Sequence, residues 1–291
     1  MKPLRRVAIL GHTGRPGVRR AVAHLVTQLA RQHREVRLEG DLARAMGEPG
    51  VPVAKLAAWC EVLVALGGDG TALKAARSLA GRRGALLAIN LGGLGFLTAA
   101  EEREMEPAVR AALAGEWPTI RRRLIAAVVK RRGRVVHRGL AVNDAVAKTA
   151  GGYSALHMRM RALGSELGHL VADGLIAASA AGSTAYSLSA GGPLLAPTLE
   201  ALVVTPVCPH TIASRSLVLS ATDAVELTVL GSFDPAMLLL DGQDKVALEA
   251  GDEIELGLSR ASVRLFQNPA RPFTRSLQGK LGWQGSARRS M

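Results

Sequence analysis

The period of the apolar positions changes partway along the chain. In the first third, short apolar runs in RRVAIL, EVRLEG, EVLVAL and GALLAINLGG alternate with segments of helical spacing. VRRAVAHLVTQLARQH places Val18, Val22, Leu25, Val26 and Leu29 three or four residues apart, on one face of a helix. EVLVAL is apolar almost throughout, as a strand covered on both faces should be. TALKAARSLAG predicts a short helix ending at Gly81, and EEREMEPAVRAALAGEW predicts another that leads out of this region. The βαβ rhythm predicts an α/β nucleotide-binding domain over residues 1–118, built on a mostly parallel sheet. Beyond it the pattern shortens. RRLIAAVVK, RVVHRGLAVNDAVAKT, YSALHMRMRA, LVVTPV, SLVLS, AVELTVL, AMLLLDGQ, KVALEAGDEIELGL and ASVRLFQ read as short strands with little helix between them. They predict an all-β domain over residues 119–269, with one helical interruption at STAYSLSAGGP. The amphipathic tail, residues 270–291, is expected to return as a helix to the first domain, with SARRSM frayed.

Composition narrows the class. The chain has 291 residues, 48% hydrophobic, enough for two cores. No apolar run approaches the ~20 residues of a membrane span, and MKPLRRVAILGHTG reads as a first strand, not a signal peptide. Cys60 and Cys208 lie far apart with no metal-ligand spacing, so the sequence offers no protein-only metal site and suggests a reduced, cytoplasmic protein. A net charge of +13 makes polyanionic partners plausible. The densest basic stretch, Arg121–Arg123, Lys130–Arg132 and Arg134, frames an expected β-hairpin and reads as a solvated turn. With aromatic residues at 3%, stacking platforms are scarce and nucleic acid is a poor partner.

Candidate chemistry concentrates where strands end in glycine. In EVLVALGGDGTALKAA, Gly67 and Gly68 are expected to supply unusual backbone angles and close ligand approach. Gly70 and Thr71 open a helix whose free N–H groups attract anions. Asp69 is out of place beside phosphate unless it faces a hydroxyl or holds a bridging metal; otherwise it is a helix N-cap. Lys74, a turn into the helix, could supply positive charge. NLGGLGFLT forms a second glycine-rich turn, and in a parallel sheet both turns lie at the carboxyl edge, where ligands bind. Phe96 there could wall a nucleotide pocket or fill the core.

Further along, Asn143 and Asp144 form a polar pair in an apolar strand pattern, suited to ribose hydroxyls or an amide, or to a strand end. In DGLIAASAAGSTAYSLSAGGP, Ser183 is the expected N-cap of a helix from Thr184 to Ser189, and Tyr186 could stack on a base. Asp173 is a ligand acceptor or a turn residue, His210 a phosphate contact or a structural loop residue, and Gln243 part of a hairpin turn.

Taken together, LGGDGT, INLGGLGFLT, VNDAV, DGLIAASAAGSTAYSLSAGGP, TPVCPHTIASRSLVL, LDGQ and the terminal KLGWQG resemble the NAD kinase family. They occur in family order from about Glu61 to Gly285. GGDGT alone is shared with diacylglycerol and sphingosine kinases and phosphofructokinases; GSTAYSLSAGGP with CPH is more specific. The resemblance implies a phosphofructokinase- and diacylglycerol-kinase-like α/β domain, an all-β NAD-binding domain, and phosphoryl transfer from ATP or polyphosphate to the 2′-hydroxyl of the adenosine ribose of NAD. It makes Asp69 the general base. Gly68, Gly70, Lys74, Phe96, Asn143, Asp144, Asp173, Thr184, Ala185, Tyr186, Ser187, Ser189, His210 and Gln243 become the binding positions. It also implies a divalent cation, Mg²⁺, held mainly by the phosphates, and a homodimer or homotetramer. The competing readings are a lipid kinase sharing GGDGT and a non-catalytic NAD(H)-binding regulator.

Overall fold

The computed structural model describes residues 4–93, 95–151, 154–211 and 213–282; SARRSM and part of KLGWQG lie outside them. The chain divides into two compact units, Met1–Arg121 with Arg264–Met291, and Arg122–Val263. No helix among the described residues is long and apolar enough to cross a membrane.

The first unit runs β1 (Arg6–Gly11), α1 (Val18–Arg31), β2 (Glu35–Leu38), α2 (Gly40–Met46), α3 (Val53–Trp59), β3 (Val62–Gly67), α4 (Asp69–Ser78), β4 (Ala85–Asn90), β5 (Ala100–Glu101) and α5 (Met105–Ala114). Strands β2, β1, β3 and β4 pair in that order, all parallel, and β5 joins the carboxyl half of β4. Every residue of β3 and β4 is buried, which is why their sequences are continuously apolar. Val18, Val22, Leu25 and Leu29 of α1 pack into the same core. The helices α2 and α3 went unanticipated. Each has seven residues, too few to display a period, and α2 is started by the Glu39 carboxylate, which accepts the Asp41 and Leu42 N–H groups.

The second unit is built from antiparallel strands: β6 (Thr119–Arg131, entering from the first unit), β7 (Arg134–Ala141), β8 (Asp144–Thr149), β9 (Leu156–Ala162), β10 (Ser165–Ala172), β11 (Gly174–Ala178), then the short helix α6 (Tyr186–Ser189), β12 (Ala201–Val207), β13 (Leu217–Ser220), β14 (Ala224–Gly231), β15 (Ala236–Leu240), β16 (Asp244–Leu248) and β17 (Glu253–Phe266). One sheet has the order β13-β12-β11-β8-β15-β16; the other carries β10-β9-β14-β17. Leu156, Met158, Leu175, Leu227, Leu238 and Leu256 from both sheets form one core. The outer face of the six-stranded sheet is covered by Ala180 and Leu195, packed on Val146, Ile176 and Val203.

β17 ends in the first unit, where Arg264 and Leu265 pair in parallel with Ala85 and Leu86. It is followed by α7 (Phe273–Leu281), which buries Leu277. Before α7, Arg271 donates to Glu104 at 2.7 Å and to Glu101 at 3.4 Å. Lys280 lies 4.5 Å from the centre of the Phe96 ring.

The basic hairpin has the expected solvated turn, but its flanking arginines are tied into the fold. Its turn, Arg132 at φ 51° and Gly133 at φ 74°, is the left-handed pair that a tight two-residue connection needs. Arg132 and Arg134 are exposed. Arg123, however, donates to the Ser259 and Leu258 carbonyls at 2.8 Å each. Burial pulls the Arg122 guanidinium down to about 10. Arg131 grips the fully buried Asp252 with two bonds of 2.8 Å. Burial opposes ionisation of Asp252, but Arg131 and the Glu249 N–H hold its carboxyl below the usual range. Arg123 and Arg131 are thus tied into the fold by carbonyl and carboxylate partners.

Removing one member of a buried pair strands the other charge, at about 3 kcal/mol. Arg131→Ala, which leaves the buried Asp252 carboxylate without its partner, should lower the unfolding free energy by that order in urea titrations, whereas Arg132→Ala should change it by less than about 0.5 kcal/mol.

Candidate functional site

In the first unit the site grows from the adjacency of two parallel strands. β3 and β4 end side by side, Gly67 opposite Asn90, so both glycine-rich turns leave the same sheet edge. Asp69 is the first residue of α4 and does not cap it; the N-cap is Gly68, in extended backbone. The two Asp69 carboxylate oxygens instead accept N–H groups from the other turn, Phe96 at 3.2 Å and Leu97 at 3.3 Å. A Cβ on Gly95 would fall 1.8 Å from Asp69 Oδ1, so this contact requires glycine there. The second turn is braced from within. Asn90, buried, accepts Gly92 N–H and donates to the Gly93 carbonyl, and Thr98 Oγ1 accepts Gly95 N–H.

The expected use of Gly67 and Gly68 is corrected. Neither adopts a left-handed backbone. What they supply is room: a Cβ on Gly67 would sit 2.4 Å from Thr71 Oγ1. A Cβ on Gly68 would lie 3.1 Å from Arg15 Nη2, and one on Gly92 3.3 Å from Arg15 Nη1. Arg15 therefore lays its guanidinium against both turns. Sequence reasoning missed it. The only signal was a basic residue in the first βα loop, GHTGRPG, which leaves the same edge. Lys74 is engaged elsewhere, with its ammonium 3.1 Å from the buried Glu39 carboxylate. Phe96 is half-buried beneath Lys280.

In the second unit, the segment Val142–Asp144 joins β7 to β8. The Asp241 carboxylate accepts all three of its N–H groups: Val142 at 2.9 Å, Asn143 at 2.8 Å and Asp144 at 3.3 Å. Asp241 itself is left-handed, φ 50°, in the β15–β16 turn that also carries Gln243. Asp144 is buried, and burial first, then the Asp241 charge, push its carboxyl up to about 7. Asn143 Oδ1 is buried without a partner among the described residues. Gly182 is pressed onto the same segment, since a Cβ there would lie 1.9 Å from the Asn143 carbonyl oxygen. Ser179 completes the stitch, donating to the Val142 carbonyl at 2.6 Å and accepting Gly182 N–H at 3.2 Å. The structure thus brings together Asn143, Asp144, the start of GSTAYS and, through Asp241, Gln243.

The expected helix Thr184–Ser189 is two pieces. A 3-10 turn, Gly182–Thr184, breaks at Ala185 (φ −104°, ψ −131°) before the four-residue α6. Ser183 is not a cap. It is buried, donating to the Ala180 carbonyl and accepting Leu195 N–H. Ser187 is also buried, its Oγ 2.9 Å from Thr205 Oγ1, so its hydroxyl holds the segment down. Thr184 Oγ1 donates back to the Ala181 carbonyl. Tyr186, 42% exposed, and Ser189 face outward.

Asp173 and His210 are not part of this group. Asp173 precedes β11 while Ser179 follows it, and six steps of about 3.3 Å each put about 20 Å between them. His210 stays with Asp173, its N–H donating to the Val171 carbonyl at 2.9 Å. Cys208 is exposed, and Asp173 raises its thiol pKa.

Two family models cover most of the chain: the ATP-NAD kinase N-terminal domain over residues 24–117 and the ATP-NAD kinase C-terminal domain over 142–267. A NAD kinase of Geobacter metallireducens is 35% identical over 280 residues, 96% of this chain and 99% of its own. One from Burkholderia multivorans is 35% identical over 284 residues, 97% and 94% of the two chains. Among solved structures, a yeast NADH kinase complexed with NADH superposes with a TM-score of 0.90 at 24% identity, covering 100% of this chain and 91% of that one, a likeness of fold. A NAD kinase from Archaeoglobus fulgidus in complex with ATP gives 0.77 at 25%, covering 95% and 98%. Neither the lipid-kinase nor the regulator reading finds support in these relatives.

The buried carboxyl of Asp144 yields a pH test. Its folded pKa, about 7, lies above the ordinary 3.8, so the stability it permits is present below pH 3.8 and declines as pH rises through about 7. At most this amounts to about 4 kcal/mol. Asp144→Asn should therefore gain on the parent protein between pH 5 and pH 8 in urea titrations; a gap independent of pH would refute the burial account.

Proposed function

The chain belongs to the NAD kinase family, and we propose that it transfers a phosphoryl group from ATP or inorganic polyphosphate to the 2′-hydroxyl of the adenosine ribose of NAD, giving NADP. The observation that carries this reading is the Asp69 carboxylate, fixed by Phe96 and Leu97 N–H at the edge where two glycine-rich turns meet. With both oxygens anchored from one side, their remaining lone pairs are held in a defined direction. One of them accepts the proton of the ribose hydroxyl as that oxygen attacks phosphorus. The γ-phosphorus–oxygen bond of the donor breaks, and the leaving phosphate carries away the bonding electrons.

Phosphoryl transfer passes through a loose transition state, so placement and charge stabilisation dominate over covalent work by the protein. Arg15, against Gly68 and Gly92, supplies a planar cation suited to phosphate oxygens. Lys74, paired with Glu39, serves chiefly to hold α4 to the start of α2. The unpartnered Asn143 Oδ1 is an acceptor waiting for a hydroxyl or amide of NAD. Asp144, able to stay protonated near neutral pH, can donate as well as accept. The outward face of Tyr186 offers a stacking surface for a base.

A divalent cation such as Mg²⁺ would neutralise charge on the donor phosphates, which with water would supply most of its ligands; the lone pairs of Asp69 not used by Phe96 and Leu97 could reach it directly or through water. We also assign a homo-oligomer. Phe233, 98% exposed on the β14–β15 connection, is an apolar anchor for a second copy. The placement of Asp173 and His210 a strand's length from Asn143 suits residues that serve a neighbouring copy's pocket.

Product identification after incubation with NAD, Mg²⁺ and each donor tests the reaction, and NADP is expected. Asp69→Asn should fold and bind NAD yet lose at least about a hundredfold in turnover. Gly95→Ala should lose turnover on the order of a hundredfold by displacing the same carboxylate. Near-full turnover in Asp69→Asn would remove Asp69 as the base. Tyr186→Ala should raise KM for NAD more than KM for the donor; equal changes would argue against stacking.

A further inference from the structure

The amino edge of the parallel sheet opens into a cavity of about 860 Å³, a volume in the range of small-molecule sites. It is remote from Asp69. Arg6 is the first residue of β1, Ala85 the first of β4, and Glu61 immediately precedes β3; all line the cavity. β3 runs from that rim to Gly67, and the six steps of about 3.3 Å from Glu61 to Gly67 put about 20 Å between the cavity and the GGDG turn.

The lining combines aromatic rings, which are scarce in this chain, with guanidinium groups unpaired among the described residues. Trp59, Trp117 and Phe266 are three of the chain's nine aromatic residues, and all border this one space. Trp59 is held in place by Arg37, whose guanidinium carbon lies 4.2 Å from the ring centre. Around these rings stand Arg82, Arg83 and Arg264, whose guanidinium groups have no hydrogen-bond or ion-pair partner among the described residues. Arg6 meets Glu61 only at 3.9 Å, while the Glu61 carboxylate is taken up by the Arg5 and Arg6 N–H groups. Positive charge in the cavity is therefore far from neutralised.

The arginines are also presented deliberately. Arg82 and Arg83 sit in the turn Gly81-Arg82-Arg83-Gly84, which closes α4. Gly81 is left-handed, φ 69°, and a Cβ on Gly84 would come 3.0 Å from the Cys60 carbonyl oxygen, so the turn lies tight against the end of α3. A tight turn that projects two adjacent guanidinium groups beside indole rings matches a ligand with a flat apolar body and a phosphate.

We infer that this cavity is a second, non-catalytic site that binds a nucleoside monophosphate, with its base against the tryptophans and its phosphate on the Arg82–Arg83–Arg264 cluster. The test is calorimetric titration of AMP and of GMP into the full-length protein with its catalytic pocket saturated with NADP. Saturable binding of either nucleotide to the saturated protein is expected. Arg82→Ala/Arg83→Ala should weaken it at least tenfold and Trp59→Leu at least threefold, with KM for NAD unchanged within twofold. Inorganic phosphate should bind at least tenfold more weakly. No binding to the saturated protein, binding indifferent to the double substitution, or inorganic phosphate binding as tightly as the nucleotides would each overturn the assignment. If the protein proves unable to phosphorylate NAD, the binding measured in these variants still decides this inference.

Discussion

Two peptide N–H groups, those of Phe96 and Leu97, hold the Asp69 carboxylate at the carboxyl edge of the first unit's sheet. Most of that unit can be read as the means of bringing them together. A side chain from the end of β3 reaches a backbone that follows β4 only because the two strands are parallel neighbours in register. The reach is short because Gly95 has no side chain in the way. The receiving backbone keeps its shape because Asn90 and Thr98 consume its polar groups internally. A carboxylate held from one side is oriented at no cost at the moment of reaction, which is the advantage of preorganised over recruited groups.

The second unit uses the same device with the roles divided. Asp241 spends its carboxylate on three consecutive N–H groups and so shapes the Val142–Asp144 segment. Its neighbour Asp144, buried and facing that charge, is left nearer to neutral. One acid organises the backbone, and the other is a group able to exchange a proton near neutral pH. The environments of two adjacent carboxyls have set their tasks apart.

How much of this the sequence disclosed depended on whether a property is local. The strands of the first unit, α1 and the shift to an antiparallel second unit were legible because burial imposes a period on the residues. The glycine-rich turns were legible because their composition is rare. The short helices α2 and α3 were not, having too few turns to repeat. Arg15 could not be separated from other surface arginines, since only the meeting of three loops shows what it faces. Asp241 was overlooked beside Gln243 because its partners stand about a hundred positions earlier. Ser183 looked like a cap by spacing, yet its hydroxyl turned inward once Leu195 lay across it.

β17 begins in one unit and finishes in the other, so the amino-terminal sheet is interrupted in sequence by everything between positions 122 and 263. A ribosome therefore releases β1 to β4 long before the chain that completes them exists. The second unit has all of its own strands once position 263 has emerged, whereas the edge of β4 beside Ala85 stays unfilled until Arg264 and Leu265 appear. In the living cell the part made first is finished last, and a nascent chain stalled just short of its end would present an open sheet margin to whatever meets it.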